Sequence, residues 1–192
     1  MKNAFEYYDK TKNSNIPKNL KMFMDMKIEP GICIDLGCGA GRDTVFLIKN
    51  GWKVIAIDKE DTEKMIKSSL NEEEQNSLKF IKQDFEGNII LQSCNLLVAN
   101  ASLSFCSKES FSELWNKIIN SISKDGYFVG NFFGINDTWA NRPNMTFFTK
   151  EEVIKLFSSF EIINFKEAEK NGRTALGVEK HWHVFNVIAK KK

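Results

Sequence analysis

Two kinds of apolar pattern alternate along this chain. Short aliphatic runs fit buried strands, and stretches whose apolar residues recur every three or four positions fit amphipathic helices. Residues 32–36, Ile-Cys-Ile-Asp-Leu, predict a first strand, and Val45, Phe46, Leu47 and Ile48 a helix over 44–50 closed by Asn50-Gly51. Further strands are predicted at 53–57, 78–81, 94–100, 127–133, 160–165 and 180–189. Upstream, residues 3–12 read as a short helix with Phe5 and Tyr8 on one face. A second helix starts at Asn15 with Pro17 in its first turn and runs to about Lys27, with Leu20, Phe23 and Met24 as its stripe. Pro30-Gly31 then breaks the chain.

The remaining helices are read in the same way. Residues 61–75 are polar and helical, with Met65, Ile66 and Leu70 inward and Glu72-Glu73-Glu74 as a solvated face. Ser110-x-x-Glu113 reads as a capping box opening a helix with Phe111, Leu114, Trp115, Ile118, Ile119 and Ile122 inward, so Trp115 is a core residue. Lys124-Asp125-Gly126 is a turn, and Gly130 and Gly134 allow close approach along the next strand. Thr149-x-x-Glu152 caps another helix that turns Val153, Leu156 and Phe157 inward. Residues 167–178 read as a polar connection and Lys190-Lys191-Lys192 as a solvated tail.

Strands alternating with helices predict an α/β fold with a doubly wound, mainly parallel sheet. The length of 192 residues suits one domain with its own core, of which residues 1–30 would form a helical cap segment. Charged residues are 27%, hydrophobic residues 42% and the net charge +2, which gives no argument for a nucleic-acid partner. Cys33, Cys38, Cys94 and Cys106 form no C-x-x-C pair, so buried free thiols in a reducing compartment are the plain reading. No stretch resembles a signal peptide or could span a membrane, which suits a cytoplasmic protein.

The chemistry gathers at Asp35-Leu36-Gly37-Cys38-Gly39-Ala40-Gly41-Arg42-Asp43. Strand, glycine turn and helix place a ligand outside the carboxyl end of the strand, near amides at the helix start. The spacing is G-x-G-x-G with an acid two residues before the first glycine, not the G-x-G-x-x-G of a dinucleotide site. An acid there suits a ligand that brings positive charge rather than a pyrophosphate. Asp58 ends the second strand roughly 20 residues past Gly37, a position suited to binding ribose hydroxyls.

This motif resembles the first motif of class I S-adenosylmethionine (SAM) methyltransferases. Gly41-Arg42-Asp43-Thr44 and His181-Trp182-His183-Val184-Phe185 narrow the resemblance to small stand-alone bacterial enzymes grouped with tellurite-resistance methyltransferases. It implies a Rossmann-like three-layer αβα fold whose seven-stranded sheet ends in an antiparallel strand. It implies SAM as cofactor and S-adenosylhomocysteine (SAH) as product, bound by Asp35, Gly37, Cys38, Gly39, Gly41, Asp58 and Lys59. Asp84 and Phe85 would hold the adenine, and Asn100 would bind SAM or substrate. The fourth strand would end beside the reacting methyl, with Ser102, Ser104 and Phe105 lining the pocket. Enzymes acting on base amino groups or amide nitrogens usually carry N-P-P-Y there, and Asn100-Ala101-Ser102-Leu103 departs from it. The leading helix would fold over the pocket with Tyr7 or Tyr8 near the ligand; a helix against the sheet edge is the other reading.

Residues 134–148 show no periodicity and read as a substrate lid, with Trp139 an aromatic wall and Arg142 an anion contact, or as plain surface. His181 and His183 share a strand face. Two imidazoles so placed suit a metal, but no third ligand is evident and none is expected. A general base or substrate contact is a second reading, and hydrogen-bonded histidines at a strand end a third. The whole reads as a SAM-dependent methyltransferase acting by in-line displacement on a small molecule, with no nucleic-acid or membrane partner, as monomer or homodimer. A nicotinamide-dependent oxidoreductase is disfavoured by the glycine spacing. A SAM-binding module without turnover, or a methyltransferase of macromolecules, are the other readings.

Overall fold

A computed structural model describes residues 4–192. Seven strands form one sheet: β1 (Ile32–Leu36), β2 (Lys53–Asp58), β3 (Leu78–Lys82), β4 (Cys94–Ala99), β5 (Ile122–Phe133), β6 (Phe160–Arg173) and β7 (Glu179–Lys191). Their order is β3-β2-β1-β4-β5-β7-β6. Neighbours from β3 to β5 pair in parallel, and β7 runs antiparallel between β5 and β6. The chain order reverses beside β1, where β2 lies on one side and β4 on the other, so the crevice of a doubly wound sheet opens at the carboxyl end of β1.

The strand pleat sends alternate side chains into two cores. Cys33, Val54, Ala56, Leu96 and Val98 pack under α2 (Lys18–Asp25) and α3 (Arg42–Lys49). Phe23 of α2 lies against Trp52 and Tyr127. On the other face Ile34, Leu36, Leu97 and Phe128 pack under α6 (Lys108–Ser121) and α7 (Lys150–Leu156). Trp115 sits there as a core residue against Phe128, Phe132 and Phe157, its indole N–H donating to the Leu156 carbonyl at 3.2 Å.

Several local expectations are corrected. The helix over 61–75 is two short helices, α4 (Glu63–Lys67) and α5 (Glu72–Gln75). Glu74 closes a capping box with Asn71 instead of merely facing solvent. Ser107, not Ser110, is the N-cap of α6, because the helix begins one turn earlier than the Ser110-x-x-Glu113 pattern implies. Lys124-Asp125-Gly126 is not a turn ahead of the strand but lies within it. It interrupts β5, with Asp125 at φ 63 and the register on β4 jumping between Cys94 and Leu96.

The largest correction lies at the sheet edge. The polar stretch 167–178 is mostly strand: β6 and β7 form a hairpin paired from Phe160↔Lys191 to Arg173↔Glu179. Polarity there reflects an edge ribbon that extends past the core, with water on both faces. Lys190 and Lys191 belong to β7 and are not a free tail. Lys190 pairs with Asp125 at 2.8 Å, and Lys191 donates to the Ile119 carbonyl.

Candidate active site

A cavity of about 620 Å³ opens at the carboxyl end of β1. Its floor is the turn between β1 and α3. The Gly37 and Cys38 amides both donate to the Ile57 carbonyl, at 2.8 and 3.0 Å, which fastens the turn to β2. Gly37 has φ +77, and a Cβ there would overlap Ser102 and press on Phe85. The residue must be glycine so that the chains after β3 and β4 can close on the same floor. Gly41 does not line the cavity: it is the N-cap of α3, in the left-handed region, against Ile66.

Asp58 is the hub of one wall. Its carboxylate accepts from the Gly39 amide at 2.8 Å, the Glu60 amide at 3.0 Å and the Tyr8 hydroxyl at 3.0 Å. Tyr8 comes from α1 (Ala4–Thr11), which lies across the cavity mouth with Ala4, Tyr7 and Thr11 also lining it. Burial, then the Asp58 charge, raises the Tyr8 pKa, so its hydroxyl is a donor. Lys59, Asp84 and Phe85 line the same side.

A chain of acids and amides runs beneath the turn. Asp35 is 3% exposed and accepts from the Thr44 hydroxyl at 2.6 Å. Burial, then the neighbouring Asp43 charge, pushes Asp35 up to about 7. Asp43 pairs with Arg42 at 2.7 Å and accepts from the Asn100 amide at 2.9 Å. The Asn100 carbonyl oxygen accepts from Asn19 at 2.8 Å. Asn100 thus lines the cavity with its amide already engaged. Ser102 also lines it, buried, and its hydroxyl has no hydrogen-bond partner among the described residues. Ser104 does not reach the cavity; its hydroxyl accepts from the Phe133 amide at 2.9 Å.

The loop 134–148 supplies the far wall through Trp139 and Arg142, beside Phe105. Arg142 stacks on the Trp139 ring, 4.2 Å from its centroid. Behind them Asp137 and Lys180 form a fully buried ion pair. The tip of the β6–β7 hairpin brings Thr174, Leu176 and Val178 to the rim. Arg42, Asp43 and Glu60 also line the cavity. Gly177 turns the hairpin tip with φ 80.

The two histidines lie elsewhere. Neither His181 nor His183 lines the cavity. His181 is bonded to Asn171 at 2.7 Å and Glu169 at 3.0 Å on the outer ribbon. His183 is buried beneath Gly134, where a Cβ would overlap its ring. Its Nδ1 accepts from the Asn136 amide at 3.2 Å and its Nε2 meets Glu167 at 3.1 Å. Glu167, Glu169 and His183 have ligand atoms within 4.8 Å of one another. With the Nδ1 lone pair taken by Asn136, however, Nε2 keeps its proton and faces Glu167 as a donor.

A family model described as "Tellurite resistance protein TehB" matches residues 2–174. No curated protein sequence matches. TehB from Haemophilus influenzae has a similar structure, with TM-score 0.79 and 17% identity over 97% of this chain and 66% of that one. A TehB-like SAM-dependent methyltransferase from Corynebacterium glutamicum superposes with TM-score 0.68 and 17% identity, covering 98% of each chain. So does the Burkholderia thailandensis 1,6-didemethyltoxoflavin-N1-methyltransferase, solved with 1,6-didemethyltoxoflavin and SAH, with TM-score 0.68, 17% identity, and 91% and 76% coverage. At these identities the likeness establishes the fold.

Proposed function

We propose, from the premise that the chain belongs to the tellurite resistance protein TehB family, that it transfers a methyl group from SAM to a small-molecule acceptor. One observation carries the reading. The Gly39 amide donates to Asp58, which joins the glycine turn and the acid at the end of β2 into a single wall of the cavity. That wall suits a nucleoside whose ribose hydroxyls donate to the carboxylate.

The other residues fit the remainder of such a ligand. Asp43 lies beneath the turn beside Asp35, whose proton a sulfonium or an ammonium placed there would help to expel. Phe85 offers an apolar face, and the orphaned Ser102 hydroxyl awaits a polar partner. The bound sulfonium supplies a methyl group already activated for displacement, so the protein's tasks are alignment and exclusion of water. Tyr7, Trp139 and the hairpin tip line the cavity and serve the second task by shielding a bound ligand from water. Among the described residues no helix is long and apolar enough to cross a membrane.

Calorimetric titration of the wild type and Asp58→Ala with SAM and SAH tests the proposal. Binding by the wild type, weakened about tenfold or more in the variant, is expected for the loss of a charged hydrogen-bond acceptor. A folded wild type that binds neither compound would sink it.

A further inference from the structure

The far wall of the cavity is built unlike the glycine-turn wall. The cation that it presents to the cavity, Arg142, has no carboxylate within ion-pair distance among the described residues. Arg42, the other arginine of the cavity, is committed to Asp43. The Arg142 guanidinium instead lies over the Trp139 ring, 4.2 Å from its centroid, in a cation–π contact.

The plate beneath Arg142 is itself fixed. The Trp139 amide donates to Asp137 at 2.9 Å, and Asp137, 3% exposed, also accepts from Lys180 and from the His183 amide at 3.2 Å. The Lys180 ammonium lies over the rings of Trp139 and Trp182 at 4.3 and 4.2 Å. A cation buried among aromatic rings and neutralised by one acid anchors the indole. Asp137 and Lys180 are therefore positioning residues for Arg142.

Around this cation the surface is apolar. Phe105 meets Trp139 at 6.2 Å. Leu176 and Val178 line the rim while 39% and 62% exposed, although the core has no need of them there. Carboxylates lie at the opposite end, Asp58 in the wall and Asp43 paired with Arg42. A ligand carrying negative charge is repelled from the glycine turn and drawn to Arg142.

We infer that the methyl acceptor is an organic anion with a flat apolar body, whose charged group Arg142 selects and whose body lies between Phe105, Trp139 and the hairpin tip. This rests on the methyl-transfer reading above. The step balances without a base from the protein if the nucleophile arrives as an anion such as a thiolate. Its lone pair forms the bond to the methyl carbon, the carbon–sulfur bond of the donor breaks, and the electron pair stays on that sulfur, leaving a neutral thioether.

The test measures binding as well as turnover. The SAH complex is titrated with 3-mercaptobenzoate and with its methyl ester, which keeps the body and removes the charge. The acid is expected to bind about tenfold tighter than the ester. Arg142→Ala should erase that difference and Arg142→Lys retain part of it, while the SAH affinity of both variants stays at the wild-type value. Methylation of the acid, followed by mass spectrometry, should lose kcat/KM in parallel. Equal binding of acid and ester, binding of neither, or preference for the acid that survives Arg142→Ala would each overturn the inference. Binding of tellurite or selenite with neither aromatic probe would leave an inorganic-anion site and overturn it too. Loss of SAH binding by the wild type would instead count against the methyl-transfer reading itself.

Discussion

The Tyr8 hydroxyl donates to the Asp58 carboxylate at 3.0 Å, joining the leading helix to the end of β2 across the mouth of the cavity. Asp58 is only 5% exposed, and two backbone amides already use it. A ribose diol that engages both carboxylate oxygens meets Tyr8 at Oδ1, which already accepts from two donors. The helix therefore competes with the nucleoside for one acceptor. Tyr8→Phe removes the competing hydroxyl and keeps the ring. It should tighten SAH binding several-fold, in keeping with a hydrogen bond of about 1 kcal/mol. Calorimetry on the two proteins decides it, and equal or weaker binding would show that Tyr8 serves the ligand instead.

Asp35 makes stability depend on pH in an unusual direction. Its folded pKa is raised to about 7, above the ordinary value of 3.8, by burial and by Asp43. The folded chain thus holds this proton more tightly than the unfolded chain. The stabilisation is complete below about pH 4, is lost as pH rises through about 7, and is level above that. Each tenfold change in proton affinity is worth about 1.4 kcal/mol. Asp35→Asn should flatten this fall and melt above the wild type at pH 8, with the gap narrowing toward pH 5. Melting curves across this window check it, and a gap that widens at low pH would contradict the sign. The same variant should bind SAH more weakly.

Asp137 and Lys180 offer a test of how the far wall is held. Removing the acid leaves an ammonium buried without its partner, so Asp137→Ala should cost about 3–5 kcal/mol in urea unfolding. Asp137→Leu combined with Lys180→Met should recover part of that loss, since no charge is then buried. The Trp139 and His183 amides remain unpaired in the double variant, so recovery stays incomplete. An Asp137→Ala midpoint equal to the wild type would mean that water reaches Lys180.

Much of this was legible in the chain. The strand at 32–36, the turn from Gly37 to Gly41 and Asp58 are local features, and their spacing predicts their meeting because adjacent parallel strands end side by side. The alternation of Cys33, Ile34 and Leu36 likewise predicts burial on both faces. Errors of a few residues came at helix starts, where Ser107 and Ser110 are chemically equivalent caps and the choice between them depends on what the loop before them touches. Ser107 is held by Glu86, at 2.8 Å from its amide.

What the tertiary structure alone decided is how distant segments face one another. Strand alternation puts His181 and His183 on one face, yet only the β6–β7 pairing shows that this face looks toward Glu167 and Glu169 and away from the cavity. The outer part of the hairpin, residues 167–178, which carries Leu176 and Val178 to the rim, is polar, so its sequence resembles a loop. Its pairing comes from backbone hydrogen bonds, which leave no mark in composition. Asp137 and Lys180 are single charged residues in unrelated stretches, and nothing local says that each is buried to neutralise the other. The sequence determined the strands, the glycine turn and the acid beside it, because hydrophobic period and backbone freedom are local. In the far wall Arg142 on Trp139 is a contact within one loop. The Asp137–Lys180 ion pair beneath it joins that loop to β7, and only the tertiary structure decides it, because a sheet brings together residues distant in the chain.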